Sequence, residues 1–165
     1  SDVYKRQAQN KALIKKLIET SNLQLKDYDA VSSQIKKALE HDNPWVRYWG
    51  LIVCSSFGSK AMENKEKINV IFEDDSENLV RIRAAEFMLL NDIELSDSKI
   101  NSLLKRSNFE AEANLMLNTL ANIKTINPKY KLNLNKNIYP ENWFPPVRDE
   151  KGLVNRRMNY LTENE

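Results

Sequence analysis

Two arginines occupy matching places in two similar stretches of this 165-residue chain. Arg47 closes His41-Asp42-Asn43-Pro44-Trp45-Val46-Arg47, and Arg81 closes Asp75-Ser76-Glu77-Asn78-Leu79-Val80-Arg81. Each falls in the first turn of a helix, where a cation opposes the macrodipole by about 0.3–1 kcal/mol. Something must offset that. The turn carboxylates Asp42, Asp74 and Asp75 are placed to do so, giving a charge-assisted ladder between neighbouring repeats through Asp42, Arg47, Asp75 and Arg81. The alternative chemistry is an anion or phosphate held by the guanidiniums.

Trp45, Tyr48 and Trp49 recur at i, i+3 and i+4, so they share one helix face and form an aromatic patch. Such a patch stacks on a sugar ring or an unpaired base, or packs against a neighbouring domain, which is the simpler reading. Trp143-Phe144-Pro145-Pro146 carries a large apolar payload in a segment with no periodicity; Trp143 and Phe144 join the candidate interface as a tail clamped onto a surface. A proline-rich ligand for an aromatic groove is the other possibility. His41 sits in a polar turn and reads as a surface histidine, while Cys54 sits in an apolar stripe and reads as a small core residue. Asp74, Asp75 and Glu77 fit turn and first-turn positions better than a general acid and base. No nucleophile motif, glycine-rich phosphate loop or metal-spaced cluster is present, so no catalytic, cofactor-binding or metal-binding residue is assigned.

These side chains must be positioned by helices. Leu13, Leu17 and Ile18 begin a helical pattern from Gln9, and Ile35, Ala38 and Leu39 form a second stripe. Asn43 caps a third helix that starts at Pro44, runs through Val46, Trp49, Val53 and Phe57, and stops at Gly58 in a left-handed cap. Ile68, Ile71 and Phe72 give a short helix, Asp74 to Glu77 a turn, and Leu79 opens a longer helix to about Leu90. Val46-Arg47 and Val80-Arg81 stand 34 positions apart, with Gly50-Leu51 over Ala84-Ala85. A more worn third copy has Ile100, Leu103 and Leu104, a turn at Ser107-Asn108, then Phe109, Ala113, Met116, Leu117 and Leu120, with Glu110 in the place of Arg81. The expected fold is all-α: a short α-solenoid of about three helical hairpins over residues 8–126, then an irregular, extended tail over 127–165, in which Val154 to Leu161 form one or two helical turns.

Composition agrees. Glycine and proline number only 3 and 5, too few for the turns of a β-sandwich or barrel. With 25 Lys and Arg against 23 Asp and Glu, the net charge of +2 is spread without long runs, which demotes a nucleic-acid partner. A HEAT-type DNA-binding protein would need those cations gathered on one concave face. One cysteine makes no intrachain disulfide, one histidine anchors no zinc site, and no stretch reaches the length of a membrane span. The chain opens at Ser1 and reads as a piece of a longer polypeptide. Residues 1–7, Ser-Asp-Val-Tyr-Lys-Arg-Gln, look like a translated adapter remnant and are set apart as a non-native leader.

The acidic loop followed by Val-Arg at the start of a helix resembles the HEAT-repeat turn. The run from Asp42 to Gly58, with Val46-Arg47-Tyr48-Trp49-Gly50 at its centre, resembles the C-terminal HEAT-type extension of bacterial sulfatases of the alkaline-phosphatase superfamily, arylsulfatases and sulfoglucosamine sulfohydrolases among them. Val80-Arg81-Ile82-Arg83-Ala84-Ala85-Glu86 is similar to the next repeat. The resemblance implies a parent that hydrolyses sulfate esters or sulfamates of polysaccharides, in the periplasm or outside the cell, using calcium and a formylglycine made in a Cys/Ser-x-Pro-x-Arg motif. That motif is missing here, since Ser55 and Ser56 follow Cys54. The expectation is therefore an accessory module without cofactors of its own, whose partner is the catalytic domain of the same polypeptide. An independent HEAT-repeat scaffold for another protein is the alternative.

Overall fold

A computed structural model describes residues 2–128, 130–135, 138–140 and 153–162. Its elements are α1 (Asp2–Ser21), a 3₁₀ segment (Asn22–Leu25), α2 (Tyr28–Leu39), α3 (Pro44–Phe57), a second 3₁₀ segment (Gly58–Asn64), α4 (Lys65–Asp74), α5 (Asn78–Leu90), α6 (Asp97–Lys105), α7 (Glu110–Ile126) and α8 (Leu153–Thr162). The chain is all-helical, with no strand among the described residues.

Alternate helices form a row. α3 lies between α1 and α5, α5 between α3 and α7, and α7 between α5 and α8, while α2 packs on α3 and α4 on α5. The two stretches that carry the repeat are therefore adjacent. A helix with neighbours on both sides needs apolar residues on more than one flank, and α5 has them: Val80, Ile82, Ala84, Ala85 and Phe87 are all fully buried. Val46, Leu51, Val53 and Cys54 do the same in α3. One continuous core runs from Leu23 and Val31 to Leu120, Met158 and Leu161.

Local chemistry sets the boundaries. Asn43 is extended and its side chain accepts the Trp45 N–H at 2.9 Å, with Pro44 in the first helical position where no donor is required. Gly58 ends α3 with φ 56° and ψ −128°, so φ is positive as expected, but ψ is not that of the left-handed helical cap. A Cβ there meets nothing within 4 Å, and the cost of one is conformational alone. Urea unfolding should find Asn43→Ala less stable by about 1 kcal/mol and Gly58→Ala by about 1–3 kcal/mol. Gly50 answers to a different constraint: a Cβ would stand 3.2 Å from Ala38 Cβ and 3.4 Å from Leu39 Cδ2, so it lets α2 and α3 approach closely.

α1 starts at Asp2 and takes in residues 2–7. Several expectations are corrected. Ile18 is 54 % exposed, because the inward flank of α1 is Leu13, Leu17 and Thr20, a little over a quarter-turn away. Phe109 is 57 % exposed; it is the extended residue before α7, with φ −158°, and not part of the helical stripe. Counted from the first residue of each helix, Arg47 and Arg81 are matched in α7 by Ala113 and not by Glu110. In the tail, the helical turns expected over Val154 to Leu161 fall within α8, a ten-residue helix packed on α7.

Candidate functional site

Arg47 projects from the first turn of α3 towards the turn between α4 and α5. Its Nε donates to Asp75 Oδ2 at 2.7 Å and its Nη2 to Asp75 Oδ1 at 3.0 Å, a bidentate pair in planar register. Its Nη1 donates to the backbone carbonyls of His41 and Asp42 at 2.7 and 2.9 Å. Asp75 Oδ1 also accepts the Glu77 N–H at 3.0 Å, at the entrance to α5. The pair is largely removed from water, with 16 % of the Arg47 and 4 % of the Asp75 side chain exposed. A guanidinium engaged on three sides by protein acceptors has no fork left for an external anion. Asp42 contributes its carbonyl and not its carboxylate, which stays on the surface.

Arg81 does not repeat this geometry. Its Nε donates to the Phe72 carbonyl at 2.6 Å, its guanidinium carbon lies 5.9 Å from the centre of the Phe72 ring, and no carboxylate is within ion-pair distance among the described residues. Burial, with the charge of Arg106 nearby, pulls its pKa below the usual guanidinium value. The reason is in the third copy, whose turn is Ser107-Asn108-Phe109 and offers no counterpart of Asp75. A different rung takes over. Asn78 donates to the Arg106 carbonyl at 2.9 Å and to Glu112 Oε1 at 3.3 Å, and its Oδ1 accepts from Arg106 Nε at 3.2 Å. Glu112 in turn accepts the Asn108 N–H. This rung, in which a neutral carboxamide bridges Arg106 and Glu112, was missed in the sequence because nothing near Asn78 names those two partners.

The aromatic patch is a real cluster. Trp45 meets Tyr48 edge to face at 6.0 Å, and Tyr48 meets Trp49 at 6.2 Å. Trp45 is 39 % exposed, with Tyr48 and Trp49 half-buried. Arg83 of α5 holds the patch from one side: its guanidinium carbon lies 5.1 Å from the Tyr48 ring centre, Nη2 donates to Tyr48 Oη at 3.0 Å, and Nη1 pairs with buried Glu86 at 2.8 Å. Burial opposes the Arg83 charge, but Glu86 and Tyr48 outweigh it and raise the pKa. Elsewhere in the row, Leu79 and Leu90 of α5 are half-buried and Leu115 of α7 is 51 % exposed. Trp143 and Phe144 lie outside the described residues.

A second cluster escaped sequence reading. Tyr28 Oη donates to Glu63 Oε1 at 2.6 Å, Lys36 reaches Glu63 Oε2 at 2.8 Å, and buried Asn64 donates to Tyr28 Oη at 3.2 Å. It ties α2 to the second 3₁₀ segment. Bonds from Lys36 and then Tyr28 hold the Glu63 carboxyl below its ordinary pKa, while burial raises that of Tyr28. His41 accepts the Asn43 N–H through Nδ1 at 3.0 Å, so it braces the turn. Cys54 is fully buried.

Among the described residues no group of three or more His, Cys, Asp or Glu side chains is placed to hold a metal ion, and no helix is long and apolar enough to cross a membrane. No protein-family model matches this chain, and neither does a curated protein or a solved structure.

Proposed function

We propose that this chain is a non-catalytic docking module, an α-solenoid of about three HEAT-like hairpins, belonging to a sulfatase-like polypeptide and packing on its catalytic domain. The observation that carries the docking role is the patch of Trp45, Tyr48 and Trp49, braced by Arg83 of α5. Aromatic rings clustered on an exposed helix row, with an arginine braced beside them, have the composition of an interface core. The solenoid reading is supported by the row of α1, α3, α5 and α7 and by the recurrence of buried residues 34 positions apart. Calcium and formylglycine, where the parent uses them, belong to the catalytic domain.

Sequencing the coding region upstream of Ser1 tests the parentage. A Cys/Ser-x-Pro-x-Arg motif in frame supports the sulfatase, and further helical repeats in its place would favour an independent scaffold. The protein itself should show no turnover of a generic aryl sulfate, and robust hydrolysis would end the accessory reading. Against a catalytic domain expressed separately, Trp45→Ala with Trp49→Ala should weaken binding at least ten-fold, since an aromatic anchor carries about 2 kcal/mol or more. Unchanged affinity removes this face from the interface.

A further inference from the structure

After α7 the chain turns back at Asn127 and runs along α6. Tyr130 lies near Asp97 in the first turn of α6, residues 133–135 sit beside Asn101, and Tyr139 reaches Ser107 just past its end. Exposure alternates strictly here: Lys131, Asn133 and Asn135 face water, while Leu132 and Leu134 are 3 % and 7 % exposed. A three-residue turn, in which the Leu134 N–H donates to the Leu132 carbonyl at 3.1 Å, separates the two leucines.

Asn101 reads the backbone of this segment. Its Nδ2 donates to the Asn133 carbonyl at 2.8 Å, and its Oδ1 accepts the Asn135 N–H at 2.8 Å. A carboxamide that donates to one residue and accepts from the residue two further on recognises main chain, whatever the side chains are. Specificity is left to the two buried leucines. The resident segment also fits imperfectly, because Tyr130 Oη is buried with no partner among the described residues, and an unmet hydroxyl counts against binding.

We propose that the face of α6 is a binding track for a peptide strand with leucines at alternate positions, and that residues 130–135 occupy it in cis and can be displaced by such a strand supplied in trans. This does not depend on the sulfatase reading. A fluorescein-labelled peptide of residues 128–140 is the probe, titrated into the full chain and into the full chain carrying Leu132→Ser, which loosens the resident strand. Binding should be saturable and at least ten-fold tighter to the loosened chain. Adding Asn101→Ala should weaken it about ten-fold, as loss of two hydrogen bonds predicts. A peptide with Ser at both leucine positions should not bind, and one with Phe for Tyr130 should bind more tightly. Exchange of strands between two copies, seen as a dimer by light scattering, also supports the proposal. Absence of saturable binding, or binding indifferent to Asn101→Ala, overturns it. If Leu132→Ser unfolds the chain, hydrogen exchange on the Asn101→Ala chain decides: residues 130–135 should exchange at least ten-fold faster with α6 and α7 still protected, and unchanged protection overturns the proposal.

Discussion

Replacing Arg47 with alanine is expected to lower stability by about 3–5 kcal/mol, the cost of leaving one partner of a buried ion pair behind. Asp75 would keep the Glu77 N–H but lose both guanidinium bonds, and the carbonyls of His41 and Asp42 would lose their shared donor. With its side chain only 4 % exposed, the Asp75 carboxylate has little water to turn to. For a chain of this size Tm should fall by roughly 10 °C. Arg81→Ala should cost less, about 1 kcal/mol, because among the described residues Arg81 donates to the Phe72 carbonyl alone. Joint replacement, Arg47→Met with Asp75→Leu, should recover much of the loss by removing both charges together. Urea unfolding of the four proteins measures this. Equal losses for Arg47→Ala and Arg81→Ala would mean that the bidentate contact carries no special weight and that repeat packing alone joins the hairpins.

That asymmetry also marks how far sequence reading reaches. α3 and α5 were legible because their signals are local: Asn43-Pro44 fixes a start, and apolar spacings of three and four fix the buried flanks. Arg47 and Asp75 were legible as partners because the repeat places one turn beside the next. Arg81 was expected to follow, but its partner depends on what the third turn contains, and Ser107-Asn108-Phe109 contains no carboxylate. The inward flank of α1 was ambiguous for another reason. Leu13 with Leu17, and Ile14 with Ile18, are both apolar pairs at i, i+4, and only the position of α3 chooses the first. The segment along α6 lay beyond reach, since nothing near Asn133 or Asn135 in sequence names Asn101 as the group that holds them. Of the aromatic patch, the three rings were legible, while the Arg83 and Glu86 brace needs the neighbouring helix.

Alkali should lower the stability of this protein in two recognisable stages, the first belonging to Cys54. Burial pushes the Cys54 thiol up to about 12, whereas in the unfolded chain it ionises near its ordinary value of roughly 8.5. Between those limits the unfolded chain has released a proton that the folded chain keeps, so stability falls as pH rises. It is fully present below about pH 8.5 and declines by about 1.4 kcal/mol per pH unit for this group. Burial raises Tyr28, Tyr130 and Tyr139 in the same sense, but unfolded tyrosine ionises only near pH 10, so these add a steeper second stage. Cys54→Ala is therefore expected to be less stable at neutral pH, through the lost sulfur, yet to show a flat profile from pH 8.5 to 10 where the unchanged chain already declines. Both should fall together above pH 10. Urea midpoints at half-unit intervals resolve the two stages, and parallel profiles for the two proteins across the lower interval would show that the thiol is solvated in the folded state. Alkylation gives the same contrast by another route. An inaccessible, protonated Cys54 should resist iodoacetamide at pH 8 in the folded protein and react readily in urea.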